Sequence, residues 1–474
     1  MENKIVFLTF FCMTWALLTG CKNTPAPEPY GPVPAPEQLE WQKMEYYMFI
    51  HFGPNTFTDM EWGTGGEDPG VFNPAALDCR QWASTARQAG MKGIIITAKH
   101  HDGFCLWPSK FSTHTVRESP WKEGKGDVLA ELSQACREYD LKFGVYLSPW
   151  DRNHPSYGTE QYNQVFANTL AEVLSSYGPV FEQWFDGACG NETEAPYDWA
   201  LFHNTVREYQ KHAVIFSDVG PGCRWVGNER GMAGETNWSR LDTAGFTPGK
   251  NAPPAEVLNS GNRSGKFWIP AEADVSLRPG WFYSSSTDSS LKTVDELMEI
   301  YLGSVGRNAN LLLNVPPDRT GRIPHGDSLR LMEFKKKRMA LFAKNIAESA
   351  QIEASSVRAG NSRRFGPANI TDKSYDTYWT PEEEKVAASF TITLDREETF
   401  SMILLQEYIP LGQRVARFMV ECINTSDGLW QPIAQGTTIG YKRILTFSPV
   451  TSSVIRVSIL EAGAPPLINC IELY

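Results

Sequence analysis

An alternation of short apolar segments with amphipathic helical stretches, which begins near residue 38, constrains the fold of this chain most strongly. Strands that are apolar along their whole length are typical of parallel sheets whose two faces are both covered. A repeated order of strand and helix therefore predicts an α/β fold with a parallel sheet. The first four apolar segments are residues 47–53, 93–101, 142–148 and 180–186.

Later apolar segments continue this pattern, and we expect further strands at residues 213–218, 267–274 and 311–315. The sixth strand has no clear apolar run, and we place it at residues 234–238. Eight such units predict a (β/α)8, TIM-like barrel over residues 38–347. Helical spacing and end signals predict helices at residues 78–90, 127–140, 159–177 and 327–346, the last of which closes the barrel.

The pattern changes after about residue 348, where helical spacing is replaced by short segments of alternating polarity. This texture predicts an antiparallel β-sandwich over residues 352–474. Its strands are expected at residues 389–394, 402–407, 417–422, 443–447, 454–460 and 470–473.

The amino terminus has the features of a processing signal over residues 1–21. Lys4 precedes an apolar run that ends at Leu18 and is too short to span a bilayer comfortably. The run ends in LTGC, which resembles the bacterial lipoprotein cleavage box and implies lipidation of Cys21. A plain secretory signal is the alternative, and both place the mature chain outside the cytoplasm. As a lipoprotein, the chain is expected in the bacterial cell envelope, either periplasmic or at the cell surface. Residues 22–37 are proline-rich and predict an extended tether.

Charge and cysteine usage exclude several classes of partner. The net charge of −11 argues against nucleic acid, which requires a basic surface. Seven cysteines follow Cys21, and no pair of them has CxxC spacing. We therefore expect neither a disulfide framework nor a zinc site.

Chemically active side chains recur where the predicted barrel strands end, which is where barrel enzymes carry their active sites. Two carboxyl groups can hydrolyse a glycosidic bond, and tryptophan faces suit sugar rings. Asp186 and Glu229 lie 43 residues apart, about one strand-helix unit, and form the candidate carboxyl pair. The other candidates at strand ends are His51, Glu61, Trp62, His100, His101, Tyr146, Trp150, Trp184, Arg224, Trp225, Glu272, Asp274 and Trp281.

Each of these assignments has an alternative. Asp186 could instead cap the helix that follows it. Glu272 is the rival of Glu229, because burial in the apolar run 267–274 would raise its pKa. The run His100-His101-Asp102 resembles the ligand runs of metal-dependent hydrolases. No second ligand cluster accompanies that run, so we expect neither a metal nor an organic cofactor.

Several motifs together resemble glycoside hydrolase family 29, the retaining α-L-fucosidases, over about residues 38–345. The motifs are MFIHFG (48–53), EWG (61–63), AKHHDGF (98–104), KFGVYLSPW (142–150), WFDG (184–187) and LLLNVPPD (311–318). The resemblance implies that Asp186 is the nucleophile. It implies a fucose pocket lined by His51, Glu61, Trp62, His100, His101, Tyr146 and Trp184.

A second set of segments resembles the subgroup that releases α-1,3- and α-1,4-linked fucose from branched glycans. These segments are residues 220–231, 237–238 and 272–283, and they imply that Glu229 is the acid/base. Arg224, Trp225 and Trp281 from these segments are expected to contact substrate. The subgroup has an Asp-aliphatic pair where this chain has Gly222 and Cys223, which affects the expected fine specificity.

The stretch 369–383 in the tail is similar to discoidin-like (F5/8 type C) domains, which implies either a glycan-binding or a buttressing module. The expected partner is a fucosylated oligosaccharide, together with a membrane through Cys21. A sugar-binding protein without turnover is the main alternative from another class. Such a protein usually lacks the nucleophile, and Asp186 is present.

Overall fold

The structure, a computed structural model, describes residues 24–188, 197–424 and 427–474. The predicted signal segment and its Cys21 lie outside the described residues. Within the described ranges, no helix combines the length and apolar character needed to cross a membrane. The six cysteines that the structure describes are all free thiols.

The first part of the chain forms a closed barrel of eight parallel strands, which confirms the predicted α/β barrel. Around the barrel the order is β1, β2, β3, β4, β5, β6, β9 and β10, which returns to β1. Strands β7 and β8 form a separate antiparallel pair. The strands are β1 (Tyr46–Ile50), β2 (Gly93–Lys99), β3 (Lys142–Leu147), β4 (Glu182–Trp184), β5 (Val214–Ser217), β6 (Cys223–Trp225), β7 (Arg240–Leu241), β8 (Phe267–Trp268), β9 (Ala271–Ser276) and β10 (Ala309–Asn314).

The prediction of the sixth strand was wrong. The sixth barrel strand is β6. It pairs with β5, where Arg224 lies opposite Ser217, and with β9, where Arg224 lies opposite Ala271. Residues 234–238 instead belong to the segment that leads away from the barrel after β6. β6 is short and includes the charged Arg224, with glycines on both sides, whereas the equally short β4 lies in the apolar segment 180–186. The sequence around β6 therefore shows no apolar pattern.

The predicted helices form, with ends within a few residues of the expected ones except at the closing helix. Asp78 caps α3 by accepting a hydrogen bond from the backbone N–H of Gln81 at 3.0 Å, and Gly90 ends it with a φ of 81°. The helices are α1 (Pro36–Gln42), α2 (Pro54–Thr58), α3 (Cys79–Ala89), α4 (Val128–Glu138), α5 (Glu160–Ser176), α6 (Trp199–Tyr209), α7 (Ala255–Ser260), α8 (Val294–Ser304), α9 (His325–Leu341) and α10 (Ser362–Phe365). The first nine accompany the barrel and α10 belongs to the tail.

Alternate residues of the barrel strands pack on opposite sides. In β1, Tyr47 and Phe49 point into the barrel, where they meet aromatic and aliphatic residues of the neighbouring strands. Met48 and Ile50 pack outward in the layer shared with the helices. All of these side chains are buried, so the barrel interior is a filled core and not a channel.

The tail forms a six-stranded antiparallel sheet fold with its own core, which confirms the predicted β-sandwich. The expected segments 389–394 and 402–407 form one long strand, β12, and the segments 443–447 and 454–460 form another, β15. Both strands continue through register irregularities at which the sequence predicted an end. The strands are β11 (Gln351–Ala354), β12 (Ala388–Glu407), β13 (Val415–Ile423), β14 (Trp430–Gly436), β15 (Arg443–Ala462) and β16 (Ile468–Leu473).

The proline-rich segment at residues 24–35 is extended as expected, but it lies against the tail domain. Tyr30 donates its backbone N–H to the carbonyl of Leu411 at 3.0 Å. Arg414 donates to the carbonyl of Glu28 at 2.7 Å, and Arg364 donates to that of Thr24 at 2.5 Å. Prolines remove backbone donors and leave carbonyls free, and arginines of the tail domain bind those carbonyls. The expectation of a free tether is therefore corrected for these residues.

Candidate active site

A cavity of about 300 Å³ opens where the barrel strands end. Its lining includes all of the predicted site residues except Tyr146, Trp150, Arg224 and Glu272. Its lining comprises Phe49, His51, Glu61, Trp62, His100, His101, Trp184, Asp186, Gly187, Ala188, Phe216, Asp218, Trp225, Glu229, Asp274 and Trp281.

Asp186 follows β4 and is held by two hydrogen bonds. The Tyr146 hydroxyl donates to Oδ2 at 3.0 Å, and the backbone N–H of Ala188 donates to Oδ1 at 2.7 Å. About a quarter of the side chain remains exposed in the pocket. The next helix, α6, is capped by Asp198, which accepts from the N–H of Leu201. Asp186 is therefore not its cap, and its carboxylate is oriented toward the cavity.

Tyr146 lies behind the pocket surface, between two other rings. Its ring stacks on His100 at 5.6 Å and on Trp184 at 5.1 Å between centroids. Burial raises the pKa of the Tyr146 hydroxyl well above its usual value, and the neighbouring Asp186 charge raises it further. The hydroxyl therefore stays protonated and donates to Asp186, a positioning contact that does not require exposure.

The three pocket histidines are neutral at ordinary pH. Burial lowers the pKa of His51 to about 3 and that of His101 to about 4. Burial also lowers the pKa of His100 well below its usual value. Because a neutral imidazole has one donor and one acceptor nitrogen, each ring can exchange hydrogen bonds with uncharged hydroxyl groups.

Neighbouring residues define which nitrogen of His51 and His101 carries the proton. The amide of Asn314 donates through Nδ2 to Ser276, so its oxygen accepts from Nδ1 of His51 at 2.9 Å. The Ser148 hydroxyl donates to a backbone carbonyl and accepts from Nδ1 of His101 at 2.7 Å. In both rings Nε2 is left as an acceptor, and that of His101 lies 3.6 Å from Oδ2 of Asp186.

Glu229 lies on the exposed rim of the same pocket, four residues after β6. Partial burial raises its pKa, and the negative charges of Asp186 and Glu61 raise it further, while a hydrogen bond from Trp281 opposes these effects. A carboxyl group with a raised pKa is thus placed in one cavity with a carboxylate that two donors hold. A general acid and a nucleophile can occupy two such positions.

Glu272, the sequence-based rival of Glu229, is enclosed in the barrel core. It is fully buried and accepts hydrogen bonds from Nε1 of Trp184, at 2.8 Å, and from the Tyr47 hydroxyl. Burial and the nearby Glu182 raise its pKa well above the usual value. Glu272 therefore supports Trp184 from behind and has no surface in the cavity.

Arg224 is placed differently from the prediction that it contacts substrate. It is fully buried, and it donates to the carbonyl of Leu258 at 2.9 Å and to Oδ1 of Asn237 at 2.8 Å. Successive strand residues point to opposite sides, so Trp225 faces the cavity and Arg224 faces away from it. The expectation is corrected on this geometry.

Two carboxyl groups in the pocket were not assigned a role from the sequence. Asp274 accepts from Nε1 of Trp225 at 2.8 Å, and burial raises its pKa well above the usual value. Burial raises the pKa of Asp218 to about 6, while the N–H of Gly249 donates to it at 3.0 Å. Each lies near the end of a barrel strand, a signal that placed Asp274 among the candidates and could also have found Asp218.

The metal alternative requires side chains that can reach one ion. Within residues 24–188, 197–424 and 427–474, three or more such groups come together only at Glu182, Cys223 and Glu272. That cluster lies in the barrel core and not in the cavity. The run after β2 is arranged differently, because Asp102 is buried and accepts from the N–H of Phe104 at 2.6 Å.

The pocket at the end of the parallel barrel holds an oriented carboxylate, a second carboxyl group with a raised pKa, neutral histidines and tryptophan rings. This combination is typical of a glycoside hydrolase. Comparisons with known proteins give the family. Residues 35–336 match the α-L-fucosidase family model, and residues 351–473 match the F5/8 type C domain. The chain belongs to the α-L-fucosidase family, and the protein is an α-L-fucosidase with a C-terminal F5/8 type C domain.

Relatives and solved structures agree with this assignment. The chain is 46% identical to putative alpha-L-fucosidase 1 of Oryza sativa subsp. japonica, over 95% of this chain and 86% of that protein. It is 41% identical to alpha-L-fucosidase 1 of Arabidopsis thaliana, over 100% and 94% of the two chains. A putative alpha-L-fucosidase from Bacteroides thetaiotaomicron superposes with a TM-score of 0.88 at 38% identity, over 95% and 99%. A Ruminococcus gnavus fucosidase in complex with fucose superposes with a TM-score of 0.87 at 34% identity, over 95% of this chain and 97% of that chain.

Proposed function

We propose that this enzyme is a retaining exo-α-L-fucosidase that releases terminal α-1,3- or α-1,4-linked L-fucose from branched glycans. One observation carries the proposal. Asp186 and Glu229 share one pocket, in which two donors hold the Asp186 carboxylate in place and burial and like charge raise the pKa of Glu229. Retaining hydrolysis requires such a nucleophile and such an acid.

In the first step, Oδ of Asp186 attacks the anomeric carbon of fucose as the glycosidic C–O bond breaks. Protonated Glu229 gives its proton to the departing glycosidic oxygen, so the leaving sugar departs as a neutral alcohol. The donors Tyr146 and Ala188 hold the Asp186 carboxylate for attack. The product of this step is a fucosyl ester of Asp186 with inverted configuration.

In the second step, the Glu229 carboxylate takes a proton from water as that water attacks the anomeric carbon. The ester bond to Asp186 breaks, and fucose leaves with its original configuration after two inversions. Glu229 then carries the proton again and Asp186 is a free carboxylate, so the enzyme returns to its starting state. Acid and base are thus the same residue in the two steps.

The pocket chemistry suits a single terminal fucose. Nε2 of His51 and Nε2 of His101 can accept hydrogen bonds from fucose hydroxyl groups. The rings of Trp184 and Trp281 offer apolar surface to the C5 methyl group. A cavity of about 300 Å³ is at the small end of ligand pockets, which supports release of one terminal residue.

The linkage preference rests on the subgroup-like segments that contribute Trp225, Glu229 and Trp281 to the pocket. The departure at Gly222 and Cys223 lies away from the cavity. Cys223 packs in the barrel core against Glu182, and a Cβ on Gly222 would lie 2.5 Å from the backbone nitrogen of Ile215. The departure therefore leaves the pocket surface unchanged, which supports the same linkage preference.

Parallel assays of fucose release from three substrates test the proposed function. We expect a Lewis-type branched trisaccharide to be cleaved at least about tenfold more efficiently in kcat/KM than an aryl α-L-fucoside or 2′-fucosylated lactose, because contacts with the branching sugar are used in the transition state. The product configuration, followed by NMR early in the reaction, should be α. Equal cleavage of all three would refute the linkage preference, and a β product would refute retention.

We also propose that the chain is exported to a bacterial cell envelope and anchored there through lipid on Cys21. The lipobox-like LTGC after a short apolar run supports this placement. Radioactive palmitate should label the wild-type chain, and a Cys21→Ser variant should remain unlabelled. Equal labelling of both, or of neither, would rule out this anchor.

A further inference from the structure

The segment that leaves the Glu229 loop lies between the barrel and the tail domain. This return segment, residues 232–241, runs from the rim of the pocket to β7. On its barrel side, Asn259 donates to the carbonyls of Val226 and Met232 at 3.1 and 3.0 Å. On its other side, its polar groups meet side chains of the tail domain.

Of the tail-domain side chains that bind the return segment, Thr438 and Gln413 are the most deeply buried. The Thr438 hydroxyl accepts from the backbone N–H of Asn237 at 2.9 Å. Gln413 makes two hydrogen bonds, because its oxygen accepts from the N–H of Ser239 at 2.7 Å and its nitrogen donates to the carbonyl of Asn237 at 3.1 Å. Each of these four residues is at most 1% exposed, so water does not replace the contacts.

Asn237 connects these tail-domain contacts to the barrel through its side chain. Its side-chain oxygen accepts from Nη2 of Arg224 at 2.8 Å, and Arg224 directly precedes Trp225 in β6. Arg224 also donates to the carbonyl of Leu258, so its side chain connects β6 both to the return segment and to α7. Trp225 and Glu229 are the pocket residues that this short strand and its loop present.

We propose that the tail domain positions the acid/base of the active site through Gln413 and Thr438, which act on Trp225 and Glu229 by way of Asn237 and Arg224. The inference rests on the proposed role of Glu229 in hydrolysis. Gln413 and Thr438 are positioning residues, since neither lines the cavity.

The nucleophile has separate supports. Asp186 is held by Tyr146 in β3 and by Ala188 after β4, and neither of these hydrogen bonds involves the tail domain. A loss of the tail contacts therefore displaces the acid more than the nucleophile. A buried N–H that loses its acceptor shifts toward a new partner or admits water, so the return segment moves.

A pair of nearly isosteric variants tests the inference. Thr438→Val keeps the side-chain volume but removes the acceptor for Asn237, whereas Thr438→Ser keeps the hydroxyl. Gln413→Met removes the second contact at similar size. Ser452→Ala is the matched control, because Ser452 is an equally buried hydroxyl of the tail domain that bonds only within that domain, to Ile423 and Val454.

The assay compares kcat/KM for a Lewis-type trisaccharide with that for α-L-fucosyl fluoride, whose leaving group needs no proton donor. We expect Thr438→Val and Gln413→Met to lower the trisaccharide value about tenfold and the fluoride value less than twofold, because a small misplacement impairs only proton transfer. Thr438→Ser and Ser452→Ala should leave the ratio of the two values unchanged. Thermal unfolding curves identify variants that are folded at the assay temperature.

Equal losses on both substrates, or no loss in either folded variant, would overturn the inference and reduce these contacts to structural support. A changed ratio in Ser452→Ala would overturn it as well. Failure of the wild-type enzyme to release fucose from the trisaccharide would instead refute the proposed function, and this inference with it. The two failures are therefore distinguished by the wild-type rate.

Discussion

Replacement of Asp186 by alanine is expected to lower kcat for fucose release by about 10⁴-fold or more, the scale of loss that removal of a nucleophile produces. The Asp186 carboxylate is partly exposed in the pocket, and the Tyr146 hydroxyl and the N–H of Ala188 fix its orientation. Fucose release from a Lewis-type trisaccharide by purified wild type and variant measures the effect.

Azide adds a sharper readout to the same variant. Without the Asp186 side chain, a small anion can enter the vacated space and attack the anomeric carbon directly. A single displacement inverts the configuration, so we expect β-L-fucosyl azide from α-L-fucosyl fluoride. Tyr146→Phe is the graded comparison, because it removes one donor to Asp186 and should reduce kcat by about 10- to 100-fold. Full activity in Asp186→Ala, or an azide product of α configuration, would contradict the assignment.

The barrel could be predicted from the sequence because most of its strands are long enough to show a pattern. The segment of β2, for example, is mostly apolar and follows a turn signal, so the sequence predicts burial on both faces of the strand. The exception was β6, which includes the charged Arg224 and lies in a run rich in glycine, unlike the equally short β4. β6 is defined by its pairing with β5 and β9. Local periodicity in the sequence carries no information about such pairing.

The candidate site was predictable where polar side chains follow a strand, as His51 and Asp186 do. It was not predictable where side-chain direction decides the role. Arg224 and Trp225 are adjacent in the sequence, but the alternation of a strand sends one to Asn237 and the other to the cavity. Depth along the strand separates Glu272, which is enclosed in the barrel, from Asp274, which lies two residues later on the same side and reaches the pocket.

The proline-rich segment shows a different limit. Its extended conformation followed from its prolines, but its contacts follow from arginines nearly 340 and 390 residues away in the sequence, Arg364 and Arg414. Those arginines bind carbonyls that the prolines leave without competing N–H groups. Composition defines the conformation of such a segment, and only the folded tail domain defines where the segment lies.

Replacement of Glu229 by alanine is expected to reduce kcat/KM for a Lewis-type trisaccharide by about 10²- to 10⁴-fold, the usual contribution of general acid catalysis. The same variant should retain most of the kcat/KM for α-L-fucosyl fluoride, since fluoride leaves without a proton. Added azide should accelerate turnover of the fluoride by attacking the ester on Asp186. Two inversions then occur, so the product should be α-L-fucosyl azide, the opposite configuration from that expected with Asp186→Ala.

The pH dependence provides an independent check of Glu229. Its protonated form is the active acid, so kcat/KM for the trisaccharide should fall as pH rises through its pKa, which burial and nearby negative charges raise above the usual glutamate range. In Glu229→Gln this alkaline limb should disappear from the residual activity. Glu272→Gln is the matched comparison: its loss of a buried carboxyl should lower stability without changing the trisaccharide-to-fluoride ratio. An unchanged alkaline limb in Glu229→Gln, or a selective trisaccharide defect in Glu272→Gln, would transfer the acid role away from Glu229.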